Sequence, residues 1–102
     1  MVIVTGVFEC AADERDRFVV SRLDRMRSSR AESGCLDYTF SADPLEPTRV
    51  LLFERWESQE ALNAHLAAMA GEPPTPPADT TVTPTSMSIT MYDAVNERGL
   101  GG

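Results

Sequence analysis

Residues 49–66 read Arg-Val-Leu-Leu-Phe-Glu-Arg-Trp-Glu-Ser-Gln-Glu-Ala-Leu-Asn-Ala-His-Leu. The first nine, 49–57, set Leu51 and Phe53 against Val50, Leu52 and Trp56, which is a strand with apolar residues on both faces. Ser58 then stands where a helix N-cap belongs. Glu60 follows in the first turn, where the helix dipole favours an acid. Leu62, Leu66 and Met69 make an apolar stripe, His65 sits on its edge three residues after Leu62, and Gly71 ends the helix. Upstream, residues 43–48 hold Asp43, Pro44 and Pro47 and form a turn. Before that turn, Leu36, Tyr38, Phe40 and Ala42 alternate with Cys35, Asp37, Thr39 and Ser41. The two strands on either side of the turn read as a hairpin.

Further out, residues 2–10 are β-branched and aromatic-rich, with Val2, Val4 and Phe8 on one face and Ile3 and Val7 on the other. Residues 12–31 are expected to form one helix with Asp13, Glu14 and Asp16 in its first turn and a stripe of Val19, Leu23 and Met26, flanked by Phe18 and Val20. Gly34 is its stop. Residues 71–86 hold five prolines and five threonines, which predicts an extended connector rather than a helix. Residues 86–95 alternate Met87, Ile89 and Met91 against Ser86, Ser88, Thr90 and Tyr92, a fourth strand. One domain over 1–95 and a loose tail over 96–102 result.

The order βαββαβ predicts an α+β fold, a ferredoxin-like antiparallel sheet with both helices on one face. The strands carry apolar side chains on the other face too, so a second copy packed sheet to sheet as a two-fold dimer is expected. Cys10 and Cys35 fall at opposite ends of such a sheet, which argues against a disulfide.

The chain has 102 residues, enough for a single core. It shows no membrane-length apolar run and no secretory leader, which predicts a cytoplasmic protein that does not bind membranes. A net charge of −7 disfavours nucleic acid as a partner. All nine cations are arginine, and six of them lie in the stretch 13–30 together with four acids, Asp13, Glu14, Asp16 and Asp24, which reads as a solvated, ion-paired helix face. With two cysteines and one histidine, the chain is too poor in ligands for a structural zinc site, and it has no Gly-rich phosphate loop.

Glu32-Ser-Gly-Cys-Leu-Asp-Tyr38, followed by the 53–66 stretch, resembles the antibiotic biosynthesis monooxygenase (ABM) domain family. The match runs through Glu32, Gly34, Cys35, Leu36, Tyr38, Glu54, Trp56, Ser58, Ala61, Leu62 and His65, and covers residues 2–70. The resemblance implies a dimeric α+β barrel. It also implies a monooxygenase that uses O2 and no flavin, haem or metal cofactor to convert an electron-rich aromatic to a quinone. The substrate would be a quinol, phenol or anthrone-type ring, including polyketide-derived ones, and the substrate itself is the reductant. Such chemistry needs a dry aromatic pocket, a proton acceptor and hydrogen bonds to the developing anion.

His65, the only imidazole, is the candidate acid–base group, and the family match points it into the cavity between helices and sheet. Trp56, the only tryptophan, is either core packing or a wall for a flat ring. Glu54 shares its strand face and is either a buried partner of an arginine or a base. Tyr38, Phe40, Phe53, Met69 and Tyr92 are the candidate substrate-lining residues. Two other functions share the scaffold. One is a non-oxidative binder or a cyclase or isomerase-type helper. The other is haem degradation, against which Thr5 and Gly6 in strand one and the single histidine both speak. Departure from the family pattern begins after Met69, and residues 71–86 are either a lid over the pocket or a plain insertion.

Overall fold

The computed structural model of the chain describes residues 1–72 and 82–101. Four strands, β1 (Val2–Glu9), β2 (Cys35–Ala42), β3 (Arg49–Trp56) and β4 (Ser86–Asp93), form one antiparallel sheet in the order β2-β3-β1-β4. Three helices, α1 (Arg15–Ser21), α2 (Leu23–Arg30) and α3 (Gln59–Ala70), join them. This is the expected ferredoxin-like arrangement, with the first helix divided in two.

The division falls at Arg22, whose φ of −98° and ψ of 0° interrupt the expected helix over 12–31. Val19 and Val20 are β-branched, and the Ser21 hydroxyl donates back to the Phe18 carbonyl at 2.6 Å. Both compete with a continuous α-helical ladder. The break rotates the predicted stripe. Phe18 and Met26 are buried, while Leu23 and Val20 turn outward. No glycine or proline marks this point in the sequence.

Period-two alternation sorts the sheet into two faces. Val2, Val4 and Phe8 of β1, Tyr38 and Phe40 of β2, and Val50, Leu52, Glu54 and Trp56 of β3 are buried on the helix side. Phe8, Phe18 and Phe40 meet there with centroids 5.4–6.0 Å apart, and Val82 also joins this core. Leu36 does not. A register irregularity between Cys35 and Asp37 throws it out of phase with Tyr38, and it is exposed.

The arginines of the first helical segment are more specific than a solvated face. Arg15 donates to the carbonyls of Asp43 and Glu46, both at 3.0 Å, and so clamps the turn of the β2–β3 hairpin. Arg30 donates to the Tyr38 carbonyl at 2.8 Å and to the Thr39 hydroxyl at 3.0 Å. Arg17 and Arg27 make the expected helical ion pairs with Glu14 and Asp24. The two cysteines lie at opposite ends of the sheet, beside Glu9 and Trp56, and both are free thiols. Among the described residues, no helix is long and apolar enough to cross a membrane. Most of the predicted 71–86 connector falls on residues 73–81, outside the described residues, as does the suggestion that it is a lid.

Candidate functional site

The helices cover β2 and β3, while Met87, Ile89 and Met91 on the helix side of β4 stay exposed. Between the helices and the β1–β4 half of the sheet lies a cavity of about 450 Å³. That volume is within the range that holds one small organic ligand. Val4, Phe8, Tyr38, Phe40, Leu52, Leu62 and the methionines Met69, Met87 and Met91 give it apolar walls. Four ionisable side chains besides Tyr38 reach it: Glu54, His65, Arg22 and Arg25.

α3 starts where its sequence says. The Ser58 hydroxyl accepts from the Ala61 N–H at 3.1 Å, which satisfies one of the free donors of the first turn. Leu62 and His65 then face inward on successive turns, and His65 is 2% exposed. Its Nδ1 lies 2.5 Å from the Glu32 carboxylate. A carboxylate oxygen accepts, so Nδ1 carries the hydrogen, and in the neutral ring it is Nε2 that has the free lone pair. Glu32 reaches this position from the turn after α2. There Gly34 adopts a φ of +83°, and its carbonyl accepts from the Glu57 N–H at 2.9 Å.

Trp56 is fully buried and does not line the cavity; it stands behind the polar groups. Its ring lies 4.7 Å from the His65 ring, and its Nε1–H donates to Glu54 at 2.9 Å. The Tyr38 ring packs edge-on to His65 at 5.5 Å. Burial raises the Glu54 carboxyl above its ordinary value, against the opposing pull of the Trp56 N–H and of His65. Burial also pushes the Tyr38 phenol up to about 12, with Glu54 adding to the effect, so this hydroxyl stays a hydrogen-bond donor at neutral pH.

Of the predicted residues, His65, Glu54, Tyr38, Phe40 and Met69 meet at the cavity. Phe53 and Tyr92 do not, which corrects the expectation that they line it. Each is one position out of phase with a cavity residue, Phe53 with Leu52 and Glu54, and Tyr92 with Met91. The sheet pleat therefore sends both to the open face, where they are about half exposed. Among the described residues Glu54 has no arginine partner; its hydrogen-bond donor is an indole. Glu32, Arg22 and Arg25 were not among the predicted site residues. Glu32 carried a signal, because it belongs to the matched motif two residues before Gly34. Arg22 and Arg25 carried none, because the helix break that turns them inward is not written in the pattern.

A model of the antibiotic biosynthesis monooxygenase family matches residues 1–70. A solved Deinococcus radiodurans protein classed with those monooxygenases is 25% identical, with a TM-score of 0.79, and each chain covers 100% of the other. A haem-degrading protein of Mycobacterium tuberculosis, solved with two haems in its active site, is 21% identical. It covers 97% of this chain and 100% of its own, with a TM-score of 0.68, a likeness of fold alone. An uncharacterized Synechocystis protein is 31% identical over 64 residues, which are 63% of this chain and 44% of that protein. The chain thus spans less than half the length of this relative. By the match over its first 70 residues, the chain belongs to the antibiotic biosynthesis monooxygenase family.

Proposed function

We propose that the chain is a cofactor-independent monooxygenase that oxidises an electron-rich aromatic of phenol, quinol or anthrone type with O2 to a quinone. The atoms balance without an added reductant. An anthrone CH2 becomes C=O and the second oxygen atom leaves as water; a phenol C–H para to the hydroxyl does the same. The substrate supplies all four electrons. The protein must therefore bind a flat ring away from water, accept a proton and steady the resulting anion.

The observation that carries this reading is the placement of a buried, raised carboxyl, Glu54, and a carboxylate-held imidazole, His65, together on a cavity whose lining is mostly apolar. Either can take the substrate proton, Glu54 from its oxygen not engaged by Trp56 and His65 at Nε2. Tyr38 donates to the anion. Trp56 acts as a positioning residue that holds both bases.

The test is oxygen uptake with a hydroxyanthrone, in metal-chelated buffer without flavin, with uncatalysed oxidation subtracted. Stoichiometric uptake and quinone formation, lost in His65→Ala, are expected. Turnover that proceeds equally under argon overturns the reading in favour of a cyclase or isomerase.

The same reading includes a homodimer formed through the open sheet face. Val7, Leu51, Phe53 and Tyr92 are exposed there beside the Arg55–Asp37 ion pair. This apolar surface is the kind that a second sheet covers. A native mass of two chains, reduced to one by Phe53→Glu, is expected. A wild-type mass of one chain refutes it.

A further inference from the structure

The mechanism above uses Glu54, His65 and Tyr38 of the cavity. The cavity is also lined by two guanidiniums whose charges are handled very differently. Arg25 is bidentate to Glu72, at 3.0 and 2.6 Å, and its charge is neutralised there. Arg22 lies at the break between α1 and α2, is only partly exposed, and lines the same cavity. Its guanidinium carbon sits 4.8 Å over the Phe18 ring. Among the described residues it forms no ion pair and no side-chain hydrogen bond. A guanidinium has five donors in a planar fork, so Arg22 presents donors to the cavity that no described residue receives.

The Arg22 guanidinium lies over Phe18, whose ring meets Phe8 at 5.4 Å, and Phe8 pairs with Val50, four residues along β3 from Glu54. The cavity therefore has a cationic end and an acid–base end with an aromatic floor between them. A ligand complementary to it is flat, with an anionic oxygen at one end and an ionisable hydroxyl or acidic C–H at the other. The chain as a whole carries a charge of −7, so this cationic end is a local exception that fixes which way such a ligand enters.

We propose that Arg22 is the anion-recognition residue of the cavity, and that the ligand is an aromatic bearing a carboxylate or an equivalent anionic oxygen at the end remote from Glu54 and His65. This rests on the cavity being the ligand site, as the proposed function requires, and adds a substrate class to it. Met69, Met87 and Met91 supply adaptable walls for the ring. The bidentate geometry of a guanidinium suits a carboxylate better than an ammonium would, so lysine is a poor substitute at this position.

The experiment is isothermal titration of the full chain with 2-naphthoate and with its neutral analogue 2-naphthamide, repeated for Arg22→Gln and Arg22→Lys, each variant checked for a wild-type thermal midpoint. Expected is naphthoate binding about tenfold tighter than naphthamide, a difference of roughly 1.4 kcal/mol. Arg22→Gln should remove the difference while leaving naphthamide affinity in place, and Arg22→Lys should restore only part of it. Raising the salt should weaken naphthoate alone. Equal affinities for the two probes, no binding of either, or a preference that survives Arg22→Gln overturns the proposal. If Arg22→Gln fails to fold, the wild-type comparison and Arg22→Lys still decide. The outcome separates from the oxidative reading. Naphthoate preference without oxygen uptake leaves Arg22 in its role and removes the oxygenase. Oxygen uptake on a neutral hydroxyanthrone with no naphthoate preference does the reverse.

Discussion

Gly34 sits at a φ of +83°, and a Cβ placed on it meets the Ala61 Cβ at 2.5 Å and the Glu57 Cγ at 3.1 Å. Gly34→Ala therefore incurs two costs. The left-handed backbone is worth roughly 1–2 kcal/mol to an L-residue. Prising α3 away from the start of β2 is an overpacking cost of about 1–3 kcal/mol. A loss of about 2–5 kcal/mol follows, and for a domain near 100 residues that is a fall in Tm on the order of 10–30 °C. The assay is urea denaturation, with thermal melting in parallel. Gly71→Ala is the matched control, because Gly71 has an ordinary backbone and the nearest atom to a new Cβ there is 3.7 Å away. It is expected within roughly 1 kcal/mol of wild type. The double variant Gly34→Ala/Ala61→Gly should relieve the clash with Ala61, less about 1 kcal/mol for a glycine inside α3, but leave the Glu57 contact and the backbone cost. Because Glu32 lies two residues before Gly34, the single variant should also lose activity at temperatures where it is still folded. A Gly34→Ala chain no less stable than Gly71→Ala refutes the reasoning.

Three further outcomes are expected. Burial raises the Glu54 carboxyl, so the native state keeps a proton that the unfolded chain releases above its ordinary value of 4.5. Stability is therefore lost as pH rises from there through the native value. Glu54→Gln keeps an acceptor for the Trp56 N–H, and it should be more stable than wild type at pH 8 and no more stable at pH 4; denaturation curves showing a pH-independent difference would count against burial as the cause. His65→Ala should lower kcat about 100-fold or more, and Glu32→Gln about 10-fold, in steady-state assays at saturating oxygen; a Glu32→Gln rate equal to wild type means that the carboxylate does not orient the ring. Trp56→Phe leaves Glu54 without its donor, with an expected cost of about 1–3 kcal/mol that is greater at pH 8 than at pH 4, read from the same denaturation curves.

Strong local signals made most of the fold readable. Ser58 and Gly71 bracket α3, the breakers at 43–48 place the hairpin, and alternation in 35–42 and 49–57 gives the strands. What failed had non-local or non-periodic causes. The break at Arg22 comes from β-branched crowding and a single Ser21 hydroxyl, neither of which disturbs a 3.6-residue pattern. Leu36 was misplaced because an irregularity beside Cys35 shifts the phase, and alternation assumes that there is none. Phe53 and Tyr92 were assigned to the cavity on residue type alone, although the period already opposed Phe53 to Leu52. The site was legible where a motif residue also fell on the buried face, as Glu54, Tyr38 and His65 do. Glu32 and Arg22 depend on how chain segments distant in sequence approach one another, and that needs coordinates.

The sole indole of the chain has a further use. It is shielded from water, bonded to one candidate base and stacked near the other. Its emission is therefore an intrinsic optical probe at the reacting end of the cavity, free of any background from a second tryptophan. Loss of a proton from Glu54 alters the field on its N–H, and a ring entering beside His65 opens a route for energy transfer or quenching. Turnover, protonation and occupancy can then be followed by light in the unlabelled protein, at concentrations where calorimetry is blind.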